Sequence, residues 1–393
     1  MARRVGIVAA VRTPIGKFMG SFTGVTAVEL GIHATKAALK RANLDGKDVD
    51  EFIYGNARQA GSGPNPARQI SFRSGMGEAT PAYTINKACG SSVKCVQLGA
   101  QAIMLGDAEI VVAGGTENMT RVPFMLEDLR WGYRMGHAKI LDGMYRDGLF
   151  CPVAEMIMGE TAEKLADIYK ISRQEQDEYG LMSQHRAEAA AKAGLFRDEI
   201  EPVEVKGKKG QSVLVQDDEH ARRGCTMEEL AKLPPVFRKD GTITAGNASG
   251  ITDAAGTVVL MSEDEMKKRG LEALVYVGPC TQVGVDPTIM GISPVPAVNR
   301  LMQKTGLTMD DFDVVELNEA FAAQVLAVAK EVPIDWKKTN VNGGSIALGH
   351  PIGMTGVRQI ITIAYEMKRR NASKGLVTLC ISGGLGMAML LER

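Results

Sequence analysis

Short apolar runs alternate along the chain with longer stretches whose apolar residues recur every three or four positions. Val5–Val11, Ile110–Ala113, Leu274–Val277, Val314–Leu317 and Leu376–Ile381 read as short buried strands. Thr26–Asn43 reads as a helix, because Thr26 and Glu29 stand at the spacing of a reciprocal N-terminal cap. Ser172–Ala193 reads as another, with Ser172 and Glu175 as its cap and Gly194 as its stop. A third helical run covers Val93–Leu105. Strands alternating with helices predict an α/β protein with parallel sheets covered on both faces.

The two ends of the chain resemble each other. The segment 44–57 lines up with 307–320, and Val111-Val-Ala-Gly-Gly115 lines up with Cys380-Ile-Ser-Gly-Gly384. Two matches in the same order and at nearly one offset point to a duplicated half, although any α/β chain shares some of this pattern. The β pattern fades over 121–249, where Met, charge and helical character rise. This divides the chain into a first half at 1–120 with 250–272, an insertion at 121–249, and a second half at 273–393.

Composition narrows the function. The charges balance, 46 Lys+Arg against 46 Asp+Glu, and no long basic run is present to attract a phosphate backbone. No apolar stretch approaches the roughly 18 residues that span a bilayer. Val5–Val11 is too short for most signal-peptide cores and reads better as a first strand. The six cysteines contain no CxxC pair, so zinc and disulfide scaffolds are not expected, and a reducing compartment fits. Glycine is in excess, 44 of 393 residues where about 7% is usual, which implies tight turns and close backbone approaches.

Four segments carry candidate chemistry. Cys89, in Asn86-Lys-Ala-Cys-Gly-Ser-Ser92, precedes a helical run, whose positive end favours the thiolate. A buried structural thiol is the commoner fate of a free cysteine, and Cys95 reads as packing. His350 lies in a loop with five glycines and a proline between 343 and 356, where a general base set against a nucleophile is a natural use. His33, His137, His185 and His220 read as surface or satisfied histidines. Cys380 ends an apolar strand and opens a Gly-rich turn, the end of a sheet where α/β enzymes bind ligands. Asn318 and Glu319 follow the strand Val314–Leu317 and could be caps.

Together these motifs resemble those of the thiolases, the family of acetyl-CoA acetyltransferases and 3-ketoacyl-CoA thiolases. The resemblance rests on ACGSS around Cys89, NEAFAAQ at 318–324, GGSIALGHPIG at 343–353 and CISGGLG at 380–386. It extends over the whole chain through VRTPIGKF near the start, AGGTENM at 113–119 and TAGNASGITDAAG at 244–256. It implies a duplicated α/β/α/β/α layered fold with an inserted loop domain. It also implies a carbon–carbon bond made or broken between acyl groups on coenzyme A, with no metal or redox cofactor. Cys89 would carry the acyl group, His350 would take its proton, and Cys380 would serve the carbanion-like carbon as acid and base. His350 and a water on Asn318 would hold the enolate oxygen. Backbone N–H groups of Cys89 and Ser382 would meet the tetrahedral oxyanion. The insertion would carry coenzyme A: Ser249 at the pantetheine arm, Leu149, Phe237 and Ala245 along a tunnel, and Arg222 near the adenine. His220, Arg223 and Lys206-Gly-Lys-Lys209 could complete a basic mouth, although a solvated face explains the lysines as well. Met158, Met290 and Phe321 would shape the acyl pocket.

The sequence departs from the family pattern at four places. Ile157-Met158-Gly159 stands where short-chain biosynthetic members often have His-Met-Gly, which opens the acyl-chain preference. Ser382 stands where glycine is usual and needs only its N–H to act. Met354 and Thr355 replace the usual Ala-Ser. The expected partners are acetyl-CoA, acetoacetyl-CoA or another 3-ketoacyl-CoA, and free CoA, in a cytoplasmic homodimer or homotetramer. Three readings compete. The first is an acetoacetyl-CoA thiolase, or a broader-chain thiolase of fatty-acid degradation. The second is a decarboxylating ketoacyl synthase in which Cys380 is idle. The third is a non-catalytic acyl-CoA scaffold, which has no need of Cys89, Asn318, His350 and Cys380 together.

Overall fold

A computed structural model describes residues 3–207 and 210–393. Nine strands form the spine of one sheet: β1 (Val5–Arg12), β2 (Glu51–Gly55), β3 (Ala82–Ile85), β4 (Ile110–Asn118), β5 (Thr252–Ser262), β6 (Val275–Gly284), β7 (Val314–Leu317), β8 (Lys374–Ile381) and β9 (Leu385–Glu392). They lie in the order β7-β8-β9-β6-β1-β5-β4-β2-β3, and the two-residue strand Gly16–Lys17 pairs with β5. Only β2–β3, β2–β4 and β7–β8 are parallel. The sheet is therefore mixed, not parallel as the alternation of strands and helices predicts. Between β8 and β9 lie only Ser382, Gly383 and Gly384, and a turn that short returns the chain antiparallel.

The order is palindromic about the β6–β1 junction, where only Gly6 with Tyr276 and Ile7 with Val275 pair. On one side β4 lies beside β2 in parallel and beside β5 antiparallel; on the other, β8 does the same with β7 and β9. The matched segments occupy equivalent places. Residues 44–57 form a 3-10 turn, Gly46–Asp48, and then β2; residues 307–320 form the turn Met309–Asp311 and then β7.

Five layers result. Helix α1 (Ala27–Arg41) covers the outer face of the N-terminal strands, with Thr26 and Glu29 forming the reciprocal cap. Helices α2 (Ser91–Leu105) and α7 (Thr355–Arg370) pack between the two halves of the sheet. Helix α5 (Pro294–Thr305) covers the outer face of the C-terminal strands. All residues of α7 from Thr355 to Met367 are buried except Tyr365, as a helix enclosed on every side requires. Two of its polar side chains meet buried carboxylates: Arg358 bonds Glu316 at 2.6 Å, and Thr362 bonds Glu199 at 2.9 Å. Glu199 also meets Arg12, which lies bidentate on Asp218, so these buried charges are not left alone.

Between β4 and β5 run α3 (Met158–Tyr169), α4 (Arg173–Lys192) and three short hairpins. Ser172 and Glu175 cap α4, and Gly194 follows its end at φ +72°. Helix α6 (Ala322–Glu331) packs against α3. No helix among the described residues is long and apolar enough to cross a membrane.

Candidate active site

The segments that follow β3, β7 and β8, together with the loop before α7, converge on one cavity of 560 Å³. Cys89, His350, Cys380 and Ser382 line it, as do Leu149, Met158, Arg222, Phe237, Ala245, Ser249, Met290 and Phe321. Asn318 is fully buried and is not part of that lining.

Cys89 sits on a sharp turn between β3 and α2. Ala88, just before it, is left-handed at φ +45°, a conformation that costs an ordinary residue about 1–2 kcal/mol. The turn is tied from both sides. Asn86 Oδ1 accepts from the Ala88 N–H at 3.1 Å. Ser91 Oγ donates to the Ala88 carbonyl at 2.7 Å and accepts from the Lys87 N–H at 2.8 Å. The turn pushes the Cys89 thiol out of the backbone at the start of α2.

The pull toward the thiolate expected at the helix end does not prevail at Cys89. Burial raises its pKa, and the pull of Arg58 and of the N–H groups of Ser382 and Cys89 does not outweigh it. The thiol keeps its proton at rest and needs a base. His350 Nε2 lies 3.3 Å from Cys89 Sγ. Burial, reinforced by Arg358 and Arg58, lowers His350 to about 3, so the imidazole is neutral and free to accept a proton. His350 is 7% exposed; its Gly-rich loop is folded inward against the cavity.

Two features hold the His350 loop. Gly349 adopts φ +99°, and a Cβ there would stand 2.3 Å from Thr252 Cγ2, so only glycine fits. Three residues beyond His350, the Gly353 N–H donates to Glu117 at 2.8 Å. Glu117 is fully buried in β4 and also accepts from Asn56 Nδ2 and the N–H groups of Ala57 and Arg58, at 2.7–3.1 Å. Burial raises the Glu117 pKa, and the pull of Arg58 and of these N–H groups does not fully outweigh it. The loop crosses β4 so closely that a Cβ on Gly115 would lie 2.2 Å from the Gly353 carbonyl oxygen. Glu117 is a positioning residue that the sequence does not mark, because it stands between the polar Thr116 and Asn118.

Cys380, near the end of β8, is 1% exposed. Burial and the neighbouring Cys89 raise its pKa far above the ordinary thiol range. Ser382 keeps φ out of the left-handed region, so its side chain causes no strain. Asn318 Oδ1 accepts from Ser345 Oγ at 2.6 Å, while its Nδ2 has no partner. Glu319 is structural: it accepts from Tyr179, Ser183 and Asn340 and from the Ile346 N–H.

Much of the remaining lining comes from the chain between β4 and β5. The segment 248–250 is stitched on two sides: Ser249 N–H donates to the Ala320 carbonyl at 3.0 Å, and the Gly250 carbonyl accepts from the His350 N–H at 2.9 Å. Phe237 meets Phe321 edge-on, ring centroids 6.0 Å apart. Exposed Lys17 and Arg222 line the mouth. His220 also lines the cavity, but burial and Arg222 lower it to about 4, so it adds no positive charge; that expectation is corrected. Lys206 and Arg223 are not among the lining residues. Lys208 and Lys209 lie outside the described residues.

Comparison with known proteins bears on this geometry. A family model for the thiolase N-terminal domain matches residues 5–264, and one for the thiolase C-terminal domain matches residues 271–393. The acetyl-CoA acetyltransferase of Pseudomonas aeruginosa is 50% identical over 99% of this chain and 99% of its own. That of Escherichia coli K12 is 48% identical over 98% of each. Among solved structures, the Bacillus anthracis acetyl-CoA acetyltransferase superposes with a TM-score of 0.97 at 43% identity, covering 100% of this chain and 99% of its own. Human mitochondrial 3-ketoacyl-CoA thiolase in complex with CoA superposes with a TM-score of 0.95 at 44% identity, with the same coverage.

Proposed function

The chain belongs to the thiolase family, and from that premise we propose that it interconverts two acetyl-CoA with acetoacetyl-CoA and free CoA. It is an acyltransferase, and the observation that carries the assignment of the nucleophile is Cys89 Sγ set 3.3 Å from a neutral His350.

In the cleavage direction, His350 Nε2 takes the Cys89 proton as sulfur attacks the ketone carbon of acetoacetyl-CoA. The N–H groups of Cys89 and Ser382, which already favour negative charge on that sulfur, are suited to the oxyanion. Aligned donors of this kind contribute about 10²–10³ each in rate. The carbon–carbon bond breaks, its electron pair goes to the methylene carbon of the departing acetyl-CoA, and Cys380 protonates that carbon. Its enolate oxygen is held by His350 and by a water on the unpartnered Nδ2 of Asn318. CoA enters, gives its thiol proton to the Cys380 thiolate, attacks the acetyl-Cys89 ester, and leaves as acetyl-CoA. Cys89 recovers its proton from His350. Reversed, the same steps condense two acetyl groups. Burial that raises the Cys380 pKa makes its thiolate a stronger base, which a carbon acid demands.

Residues 121–249 form the insertion that receives coenzyme A, between the halves 1–120 with 250–272 and 273–393. Ser249 meets the pantetheine arm, Leu149, Phe237 and Ala245 flank it, and Arg222 with Lys17 faces the anionic end. Met158, Met290 and Phe321 bound the acyl group beside Ile157. No metal or redox cofactor takes part in this chemistry. Cleavage rates over a series of 3-ketoacyl-CoA substrates, from four to sixteen acyl carbons, read the role of Ile157. Ile157→His is expected to lower kcat/KM for longer chains relative to the four-carbon substrate by about tenfold, the scale of a few contacts in an apolar pocket. An unchanged ratio would mean that Ile157 only packs.

Association into homodimers or homotetramers is supported by two uncovered features. Strand β3 is an edge of the sheet, and edges left bare invite pairing. The hairpin of Phe124–Met125 with Leu141–Asp142 and its connecting loop expose Phe124, Trp131, Met135 and Ile140, large apolar side chains of the kind that another protein surface covers. Light scattering should give at least a dimer; a monomer at micromolar concentration removes this part of the proposal. Six free cysteines favour a reducing compartment such as the cytoplasm.

A further inference from the structure

Thr355 is fully buried at the first turn of α7. Its Oγ1 lies 2.6 Å from His350 Nδ1 and 3.0 Å from the carbonyl oxygen of Pro351. Thr355 is the only side chain among the described residues that bonds Nδ1, while Nε2 faces Cys89.

A neutral imidazole carries one N–H, on either nitrogen. With the proton on Nε2, the Cys89 proton has nowhere to go. With the proton on Nδ1, the ring donates to Thr355 and presents a bare Nε2 to sulfur. Thr355 can then send its own proton to the Pro351 carbonyl, four residues back, which is ordinary geometry for a helical threonine. A hydroxyl can accept and donate at once; a methyl can do neither.

We propose that Thr355 is a positioning residue that fixes His350 as the Nδ1–H tautomer and so leaves Nε2 free to take the Cys89 proton. The proposal rests on the pairing of Cys89 with His350 described above. A carboxylate in this place would stabilise the imidazolium; a neutral hydroxyl orients the ring without holding the proton there. The ring can therefore return it to sulfur when the acyl group leaves.

Two readouts test this without any CoA ester. The first is the ¹⁵N shifts of the His350 ring in histidine-labelled protein, assigned by comparison with a His350→Gln variant. The second is the rate at which iodoacetamide alkylates Cys89 at neutral pH. Wild type and Thr355→Ser should both show the Nδ1–H form, and their alkylation rates should agree within about threefold. Thr355→Val should lose that form and react about 10²-fold more slowly, the lower range for loss of a positioned base. An Nε2–H ring in the wild type, or wild-type alkylation of Thr355→Val, overturns the proposal. If Thr355→Val does not fold by circular dichroism, the wild-type tautomer alone decides. Failure of the wild type to cleave any 3-ketoacyl-CoA would refute the thiolase reading and leave the tautomer result standing, so the two failures are distinguishable.

Discussion

Cys89→Ala is expected to lower kcat/KM at least about 10⁴-fold in both directions, the scale seen when a covalent nucleophile is removed. The expectation follows from what surrounds the sulfur. His350 Nε2 is 3.3 Å away, and the N–H groups of Ser382 and Cys89 favour its negative form. No substitute is at hand. Cys380 also lines the cavity, but it is 1% exposed and its thiol is held protonated more firmly than that of Cys89. The change removes one atom from a residue that is already partly exposed to the cavity, so the variant should fold and still bind CoA. The check is mass spectrometry of protein mixed with acetyl-CoA: wild type should carry acetyl on the peptide containing Cys89, and the variant should carry none.

Cys380→Ser should separate the two halves of the reaction. Acylation of Cys89 sends its proton to His350 and needs Cys380 only to protonate the departing CoA, which can leave as a thiolate, so the acetyl-enzyme should form within about tenfold of the wild-type rate. Condensation needs a base on the methyl carbon, and a serine hydroxyl, a far weaker acid than a thiol, yields almost none of its anion near neutral pH; loss of that step should cost about 10³-fold. The substitution is nearly isosteric, so it leaves the cavity its shape. Condensation at the wild-type rate would remove Cys380 from the mechanism and favour a site with an idle thiol there.

Much of the fold is legible in the sequence because local signals and packing agree. Thr26–Glu29 and Ser172–Glu175 cap real helices, and Val314–Leu317 is a strand over that very range. Strand ends are less legible: Ile110–Ala113 extends to Asn118, where Thr116, Glu117 and Asn118 carry polar side chains buried by tertiary partners that no periodicity reveals. The mixed sheet is hidden for a similar reason. Alternating strands and helices imply parallel crossovers, and only the short link Ser382–Gly384 betrays a hairpin.

At the candidate site, residue types are legible and their electrostatics are not. The cysteines and His350 are conspicuous in Gly-rich segments, but the sign of their pKa shifts depends on burial that arises only when the two halves close on α2 and α7. Burial reverses the expectation for Cys89 and neutralises His220. The supporting contacts are the least visible. Glu117 acts through residues 56–58 and 353, and Thr355 acts through a ring five positions away. Neither stands out by type or spacing alone.

The central claim is that Cys89, activated by His350, carries an acyl group between two CoA thioesters. CoA-dependent cleavage of acetoacetyl-CoA, followed by loss of its enolate absorbance, with Cys89→Ala alongside, tests it most directly. Turnover by the wild type that requires CoA and disappears in the variant is the predicted result. Absence of cleavage of any 3-ketoacyl-CoA by folded wild type, or undiminished cleavage by Cys89→Ala, would contradict it.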